Sequence, residues 1–273
     1  VTAFLTEPPP PWGVPLDVLP GIRRVVAPNP GRMTYHGTNT YLLDDPGGTI
    51  VVDPGPDHAE HVAAVLAATG GRVGMIVVTH THHDHVGAVP ALRTATGAKV
   101  HGFAKSADPG FAVDVALHDG DTLAGWTALH TPGHAADHLC FARSDGVVLT
   151  ADHVMGWSTS VVSPPHGDMG AYFASLRRMI ARDDRVYLPG HGPVLHEPKA
   201  FVQGLLAHRM MREAAIAKAL GETPRTTRSL VDELYSQVDP VLLAAAERNV
   251  ISHLHKLAAE GRAVETGVGW RAA

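Results

Sequence analysis

The sequence has little of several things. There is one cysteine, Cys140, in 273 residues. An intrachain disulfide is excluded, and so is a C-x-x-C pair for a structural zinc or a redox centre. A lone thiol suits a reducing compartment. Aromatic residues make up only 5% of the chain and charged residues 18%. No apolar run approaches the roughly 20 residues of a membrane span. The opening stretch VTAFLTEPPPPWGVP has neither a basic n-region nor a long apolar h-region, so the reading is a cytoplasmic protein without a signal peptide. Its proline run reads as an extended arm over residues 1–20. The formal net charge of -5 provides no global field toward nucleic acid or anionic membrane. The G-x-S-x-G nucleophile elbow and the P-loop are both missing.

What is present is an ordinary apolar content of 45% and an alternation of β and α patterns from Gly47 onward. GTIVVDPG reads as a short buried strand that breaks at Pro54 and Gly55, and AEHVAAVLAATGG as a helix stopped by Gly70. VGMIVVTH is a second buried strand, VGAVPALRTATG a helix and AKVHGF another strand. DTLAGWTALHTPGH and DHLCFARSDGVVLTADHV read as sheet, with a hairpin turn at Ser144-Asp145-Gly146. DMGAYFASLRRMIAR is an amphipathic helix and RVYLPGHG a last strand. Strands this apolar need helices on their outer faces. Beyond about Glu197 helical patterns take over: Pro198–Leu220, Arg228–Val238 and Pro240–Glu260, followed by a β-like tail. The expected division is a first domain of residues 1–202 and a second of 203–273, with the boundary near Gln203.

Histidine is the excess, with 19 residues. VVTHTHHDHVGAVP places four histidines and an aspartate in six positions. Three more candidate ligands end apolar strands: His134 in LHTPGH, Asp152 in VVLTAD and His191 in VYLPGH. Sites in α/β sheets gather at the carboxyl ends of strands, and neighbouring Gly and Pro allow tight turns there. In an extended chain residues i and i+2 point the same way, so His80 and His82 can grip one metal. The turn into the following helix aims Asp84 and His85 at a second. His134 can complete the first site and His191 the second, with Asp152 bridging. Imidazole and carboxylate ligands suit Zn, with Fe or Mn as alternatives.

HTHHDH (His80–His85), TPGH ending at His134, TAD ending at Asp152 and PGH ending at His191 resemble the metallo-β-lactamase superfamily. VVDPG (Val51–Gly55) is similar to its first motif and makes Asp53 a residue that supports ligands. The resemblance covers about residues 20–200 and implies a four-layer αβ/βα sandwich with the metals at one edge. NPGRMTYHGTNTYLL and the helical tail resemble the branch containing the β-lactamase-like protein 2 group, which implies a small, mainly helical, winged-helix-like C-terminal domain. The chain departs from true zinc β-lactamases, which commonly use a cysteine at the second metal. Asp84 and Asp152 stand where the glyoxalase II and ribonuclease Z branches place carboxylates, and Cys140 reads as core.

The expected function is a binuclear metal-dependent hydrolase with two Zn ions. A hydroxide held between the metals and oriented by Asp84 would attack a thioester, ester or lactone. The alternatives are a phosphodiesterase on single-stranded RNA, a mononuclear iron dioxygenase and a non-catalytic scaffold. His166 is the candidate proton donor. His83 reads as a loop or supporting residue. His130, His138 and His153 read as hydrogen-bonded structural histidines. His36, Asn39 and Tyr41 are candidates either for lining the cleft or for holding a strand or turn. His58, His61, His101, His118, His196 and His208 read as surface residues. Residues 205–273 hold nine Lys and Arg against eight Asp and Glu, too balanced for a duplex-binding face. Val250, Ile251, Leu254 and Leu257 fall on one helical face, so that helix is expected to pack inward. The expected partner is a small molecule, with RNA as the alternative and neither duplex DNA nor membrane. The sequence does not read out an oligomeric state.

Overall fold

A computed structural model describes residues 3–237 and 243–273. Two mixed sheets face each other. The first has strands in chain order: β1 (Pro15–Leu19), β2 (Ile22–Val26), β3 (Asn39–Leu43), β4 (Thr49–Val52), β5 (Val73–Val77), β6 (Lys99–Phe103) and β7 (Val115–Leu117). Pairing is antiparallel through β4 and parallel from β4 to β7. The second sheet holds β8 (Thr122–Leu123), β9 (Trp126–His130), β10 (Leu139–Arg143), β11 (Val147–Ala151), β12 (Val186–Pro189) and β13 (Leu195–His196). Only β11 and β12 pair in parallel there.

Helices α1 (Ala59–Thr69), α2 (His83–Val86) and α3 (Val89–Thr96) accompany the first sheet, and α4 (Met169–Ile180) and α5 (Pro198–Ala219) the second. The layer between the sheets is apolar, with Ile22, Val52, Val77, Phe141, Leu149 and Leu188 buried together. A second apolar layer joins Val51, Ile76 and Val100 to Val65 of α1 and Leu92 of α3. A third joins Cys140 and Val148 to Leu176 of α4 and Val202 of α5. Each strand near the centre therefore buries both faces, which is why the sequence shows unbroken apolar runs rather than alternation.

The C-terminal unit consists of the end of α5, α6 (Thr227–Leu234), α7 (Leu243–Ala259) and a hairpin of β14 (Ala263–Thr266) and β15 (Gly269–Ala272). Ile216, Leu230, Val250, Leu254, Leu257 and Trp270 form its core, while Ile251 is half-buried. Gln203 lies inside α5, whose Phe201, Val202 and Leu205 pack with the second sheet and whose Ile216 packs with the C-terminal core. No helix among the described residues is long and apolar enough to cross a membrane.

Several elements differ from the sequence reading. Strands β1, β2 and β3 precede Gly47; in IRRVV the charged pair Arg23 and Arg24 masks the pattern, and Arg24 is buried because it ion-pairs with Glu7 at 2.8 Å. The N-terminal arm is extended but tied down by that pair, and by the Leu5 amide donating to Gly156 O at 2.9 Å. The 86–97 helix is two pieces: a helical turn already begins at His83, and α3 starts after Gly87 and Ala88. The 121–134 strand is broken by a left-handed turn at Ala124 (φ 47) and Gly125 (φ 82). The Arg228 helix ends at Leu234, and Val238 and Pro240 lie outside the described residues.

Candidate metal centre

Strands β5, β9, β11 and β12 run out at one edge of the sandwich, where His80–His85, His134, Asp152 and His191 follow them. The sheets are stitched together at that edge: the Leu139 amide donates to Thr79 O at 2.8 Å and the Asn39 amide to Gly190 O at 2.7 Å. Asn39 and Tyr41 do not line the cleft. Their side chains donate to Pro189 O at 2.9 Å, and Asn39 also to Gly192 O, fixing the turn that carries His191.

Two groups of ligand atoms form, each lying within 4.8 Å of one another: His80, His82, His134 and Asp152, and Asp84, His85 and His191. In the first, His82 Nδ1 lies 3.0 Å from His80 Nε2 and 2.9 Å from His134 Nε2. In the second, His191 Nε2 lies 3.2 Å from Asp84 Oδ2 and 3.4 Å from Asp152 Oδ1. Asp152 faces both groups, with Oδ2 3.5 Å from His134 Nε2 and Oδ1 3.5 Å from His85 Nε2.

The opposite edge is already committed in four of the five imidazoles, those of His80, His85, His134 and His191. Thr79 Oγ1 donates to Asp53 Oδ2 at 2.7 Å, so it accepts from His80 Nδ1 at 3.0 Å. His85 Nδ1 donates to Asp53 Oδ2 at 2.8 Å, His134 Nδ1 to Val161 O at 2.7 Å, and His191 Nδ1 to Gly37 O at 3.3 Å. The Nε2 atoms of these four are thereby turned inward, where a metal would meet their lone pairs, the arrangement that metal-ligating histidines use; His82 instead turns Nδ1 inward. In the first group two such lone pairs converge on His82 Nδ1, which one proton cannot satisfy. In the second, buried His85 Nε2, His191 Nε2 and Asp152 Oδ1 have no hydrogen-bond partner. Unpaired buried polar atoms are costly, and a cation in each group removes that cost. A third combination, Asp53 with His80 and His85, is a supporting contact: both Asp53 oxygens are occupied by Thr79 and His85.

Protonation divides the same two groups. Burial, reinforced by neighbouring imidazoles, holds His80 well below the usual histidine range and pushes His82 down to about 4. His85 and His191 go the other way. Burial opposes their charge, but Asp84 and Asp152 outweigh it, raising His85 well above its ordinary range and His191 to about 9. Burial likewise opposes ionisation of Asp84 and Asp152, and the surrounding histidines overcome it, lowering both below the carboxylate range. A cation thus meets His80 and His82 neutral and must displace protons from His85 and His191.

A cleft of about 280 Å³ opens onto His82, Asp84, His134 and Asp152. Met33, Met155, Trp157 and Val161 give it apolar walls, and Arg32, Arg248 and exposed His166 stand around it. His166 therefore shares the cleft with the clusters, while His83 is exposed at the start of α2. His130 and His138 hold structural hydrogen bonds, to Ala136 O at 2.9 Å and Thr131 Oγ1 at 3.0 Å. Buried His153 differs from the sequence reading: neither ring nitrogen has a hydrogen-bond partner, and the ring sits edge-on to Tyr172 at 5.2 Å. His61 is not a surface residue; it is 1% exposed, with Nε2 2.9 Å from Thr40 Oγ1. The sequence reading overlooked Arg32, Trp157, Val161 and Arg248, whose only common signal is proximity in the fold. Thr79, immediately before His80, was open to discovery as a hydroxyl between a carboxylate and a ligand.

Comparison with known proteins agrees with this geometry. A sequence model described as the metallo-beta-lactamase superfamily matches residues 33–191, and one described as a beta-lactamase associated winged helix domain matches residues 226–270. The beta-lactamase-like protein 2 homolog of Drosophila melanogaster is 30% identical over 261 residues, covering 88% of each chain. An atrochrysone carboxyl ACP thioesterase of Aspergillus terreus is 29% identical over 265 residues, covering 89% of this chain and 81% of the relative. The crystal structure of a beta-lactamase domain protein from Burkholderia ambifaria matches with a TM-score of 0.83 at 23% identity, covering 97% of this chain and 95% of that one, which speaks for the fold alone.

Proposed function

The chain belongs to the metallo-beta-lactamase superfamily, and from that premise we propose that it is a two-metal hydrolase of acyl thioesters. His80, His82, His134 and Asp152 would hold one ion, and Asp84, His85 and His191, with Asp152 shared, the other. The observation that carries this is the set of inward ring nitrogens, four of them backed by an outer hydrogen bond, with His85 Nε2 and His191 Nε2 lacking any hydrogen-bond partner. Zn suits the donor set best, with Fe or Mn as alternatives. Two divalent ions in these groups supply Lewis acidity that acidifies a water and polarises an acyl oxygen.

The chain's own residues do the rest. Asp84 borders the cleft and is held ionised, so it orients the attacking water and accepts a hydrogen bond from it. His166 supplies a proton to the leaving group from the cleft wall. Met33, Met155, Trp157 and Val161 suit an acyl chain, and Arg32 and Arg248 suit an anionic group elsewhere on the substrate. The thioesterase name of the Aspergillus terreus relative supports a thioester over an ester or lactone. Duplex DNA does not fit this reading: α7 buries Val250, Leu254 and Leu257 and turns Asn249 and Ser252 toward the catalytic domain, so that face is not free to enter a groove. A lone, buried Cys140 suits reaction in the cytoplasm.

The test is metal analysis of protein purified without added metal, paired with a panel of acyl thioesters, lactones and single-stranded RNA. Two ions per chain and thiol release from thioesters are expected. One ion, unchanged on titration, would sink the binuclear reading, and RNA cleavage without thioesterase activity would transfer the same centre to phosphodiesters.

A further inference from the structure

Ser160–Val162 form a strap between the ligands and the C-terminal domain. On the inner side, Val161 O accepts from His134 Nδ1 at 2.7 Å, and Ser160 Oγ reaches the backbone oxygens of Asp152 at 2.6 Å and His153 at 3.0 Å. The strap thus fixes the ring of His134 and the backbone that carries Asp152. Ala151, just before Asp152, sits at φ 42, a conformation that a non-glycine residue keeps only under constraint.

The outer side of the strap is held from α5 and α7. Arg209 donates to Ser160 O, and to Asn249 Oδ1 at 3.0 Å. The Val162 amide also donates to Asn249 Oδ1, at 3.4 Å, and Ser252 Oγ donates to Val162 O at 2.7 Å. Arg209 is 4% exposed, and its charge is met by these oxygens and by the face of Tyr172 at 5.7 Å; among the described residues no carboxylate pairs with it. Tyr172 in turn donates to His153 O at 3.1 Å. Burying a guanidinium without a counter-ion is unfavourable, so mere space-filling between domains would be served better by an aliphatic side chain. What the guanidinium adds is two directed donors in a rigid fork.

We propose that Arg209, with Asn249 and Ser252, is a positioning set through which the C-terminal domain fixes His134 and Asp152 for metal binding. The inference rests on the two-metal reading above. His134 belongs to the first group and Asp152 faces both, so a displaced strap changes both ions' surroundings and, through Val161, one wall of the cleft.

The test uses the full chain with Arg209→Met, Arg209→Lys and Ser252→Ala. The readouts are zinc dissociation constants by chelator competition, the absorption spectrum of the cobalt-loaded protein, kcat, KM and the melting temperature. Arg209→Met is expected to weaken ion retention by about 10–100-fold, the range for residues supporting a metal ligand. Its cobalt spectrum should change, and kcat should fall by a larger factor than KM rises. Arg209→Lys should recover part of the affinity, because an ammonium lacks the planar fork that serves Ser160 O and Asn249 together. Ser252→Ala should produce a smaller change of the same kind. Zinc affinities and cobalt spectra that match the wild type, whatever the melting temperatures, would overturn the proposal and leave these residues merely structural. If Arg209→Met does not fold, Ser252→Ala decides by the same readouts. A wild type that binds no metal overturns the two-metal reading and this inference together, whereas a two-metal wild type with unchanged variants overturns only this inference.

Discussion

The candidate ligands from the first sheet and those from the second are oriented in different ways. His80 and His85 are set by Thr79 and Asp53, all within the β4–α1–β5 unit and its continuation. His134, Asp152 and His191 depend on Val161, Ser160 and Gly37, and the His191–Gly37 contact spans 154 residues of sequence. Each group draws on both halves, so a cation would bind only with the two sheets held in register. One half is therefore locally self-sufficient and the other is exposed to events elsewhere in the chain. Each half also holds a non-glycine residue at positive φ, Asp53 at 50 and Ala151 at 42, a strain of order 1–3 kcal/mol apiece that the surrounding hydrogen bonds must offset.

The largest effect should come from Asp84, the first-sheet residue that both lines the cleft and approaches His191. Asp84→Ala is expected to lower kcat/KM by about 1,000-fold or more, roughly 4 kcal/mol of transition-state stabilisation. His83→Ala, one residue away and exposed, should change it by less than about 3-fold, as surface substitutions do. Steady-state kinetics on folded variants checks both. Equal losses would mean that the loop acts as a unit rather than through Asp84.

Next comes a direct contest between the halves. A Cβ at Gly190 would lie 2.6 Å from Asp152 Oδ1 and 2.8 Å from His85 Cε1. The backbone there cannot retreat easily, because Gly190 donates to Ala151 O at 2.9 Å and accepts from Asn39 at 2.7 Å. Gly190→Ala should therefore displace Asp152 and cost about 100-fold in activity with loss of bound ion, near the upper end for supporting changes. Asp53→Asn keeps the shape and removes one carboxylate charge behind His85; about 10-fold is expected on the same scale. Metal content and kcat of the pair decide which half is the more fragile. A larger loss in Asp53→Asn would reverse the comparison.

The same division separates what could be read from the sequence from what could not. The first-sheet ligands sit in one short motif beside a strand whose apolar run is unbroken, and the i, i+2 relation of His80 and His82 follows from extended backbone. The layered core was legible for a similar reason: strands buried on both faces and a helix ending at left-handed Gly70 (φ 58) leave local marks. Strands β1 and β2 were hidden because Arg23 and Arg24 interrupt the pattern, and Arg24 is buried only through its pairing with Glu7. The strap was hidden because, the Ser160 hydroxyl apart, Ser160, Val161 and Val162 act through backbone oxygens and an amide, which carry no residue signature. Buried His61 has the look of a surface residue in the sequence, where nothing signals that Thr40 of β3 meets its ring.

His61 provides a pH test of the first half. Burial, aided by the charge of His58, pushes it down to about 4. The unfolded chain keeps an ordinary value of about 6.5. Between these values the unfolded state binds more protons, so stability falls as pH drops through about 6.5 and levels off below about 4. By pH 5 the loss from this group is on the order of 2 kcal/mol. Urea unfolding at pH 7.5 and 5, with chelator present in both, should show a smaller acid loss in His61→Gln than in the wild type. An identical loss in both would assign the acid sensitivity to other buried histidines such as His138 and His153.

A smaller effect, on the order of 10-fold in rate, is expected for His166→Ala with a substrate whose leaving group is a poor one. With an activated thioester the loss should nearly vanish, because a good thiolate needs little help from an acid. A uniform loss across leaving groups would instead make His166 a wall of the cleft.

The smallest effect concerns the two arginines at the cleft, one from each side of the comparison. Arg32 comes from the segment before β3 and Arg248 from α7. Both are exposed, and neither has a carboxylate partner among the described residues. The position of Arg248 is set by its neighbour Asn249, which accepts from Arg209 and the Val162 amide. An anionic group on the substrate would meet both guanidinium groups at an exposed site, where screened contacts are worth about 0.2–1 kcal/mol each. The expected result is therefore a rise in KM of at most about 5-fold for Arg248→Ala, with kcat nearly unchanged, because such binding is the same in ground and transition states. Arg32→Ala should behave alike, and the double variant should add the two effects if the residues act independently. A neutral thioester of the same acyl chain should show no change in either variant, and raising the salt concentration should shrink the difference for the anionic substrate. If the neutral substrate loses as much as the charged one, the arginines shape the cleft rather than select charge, and α7 contributes only the hold that it has on the strap.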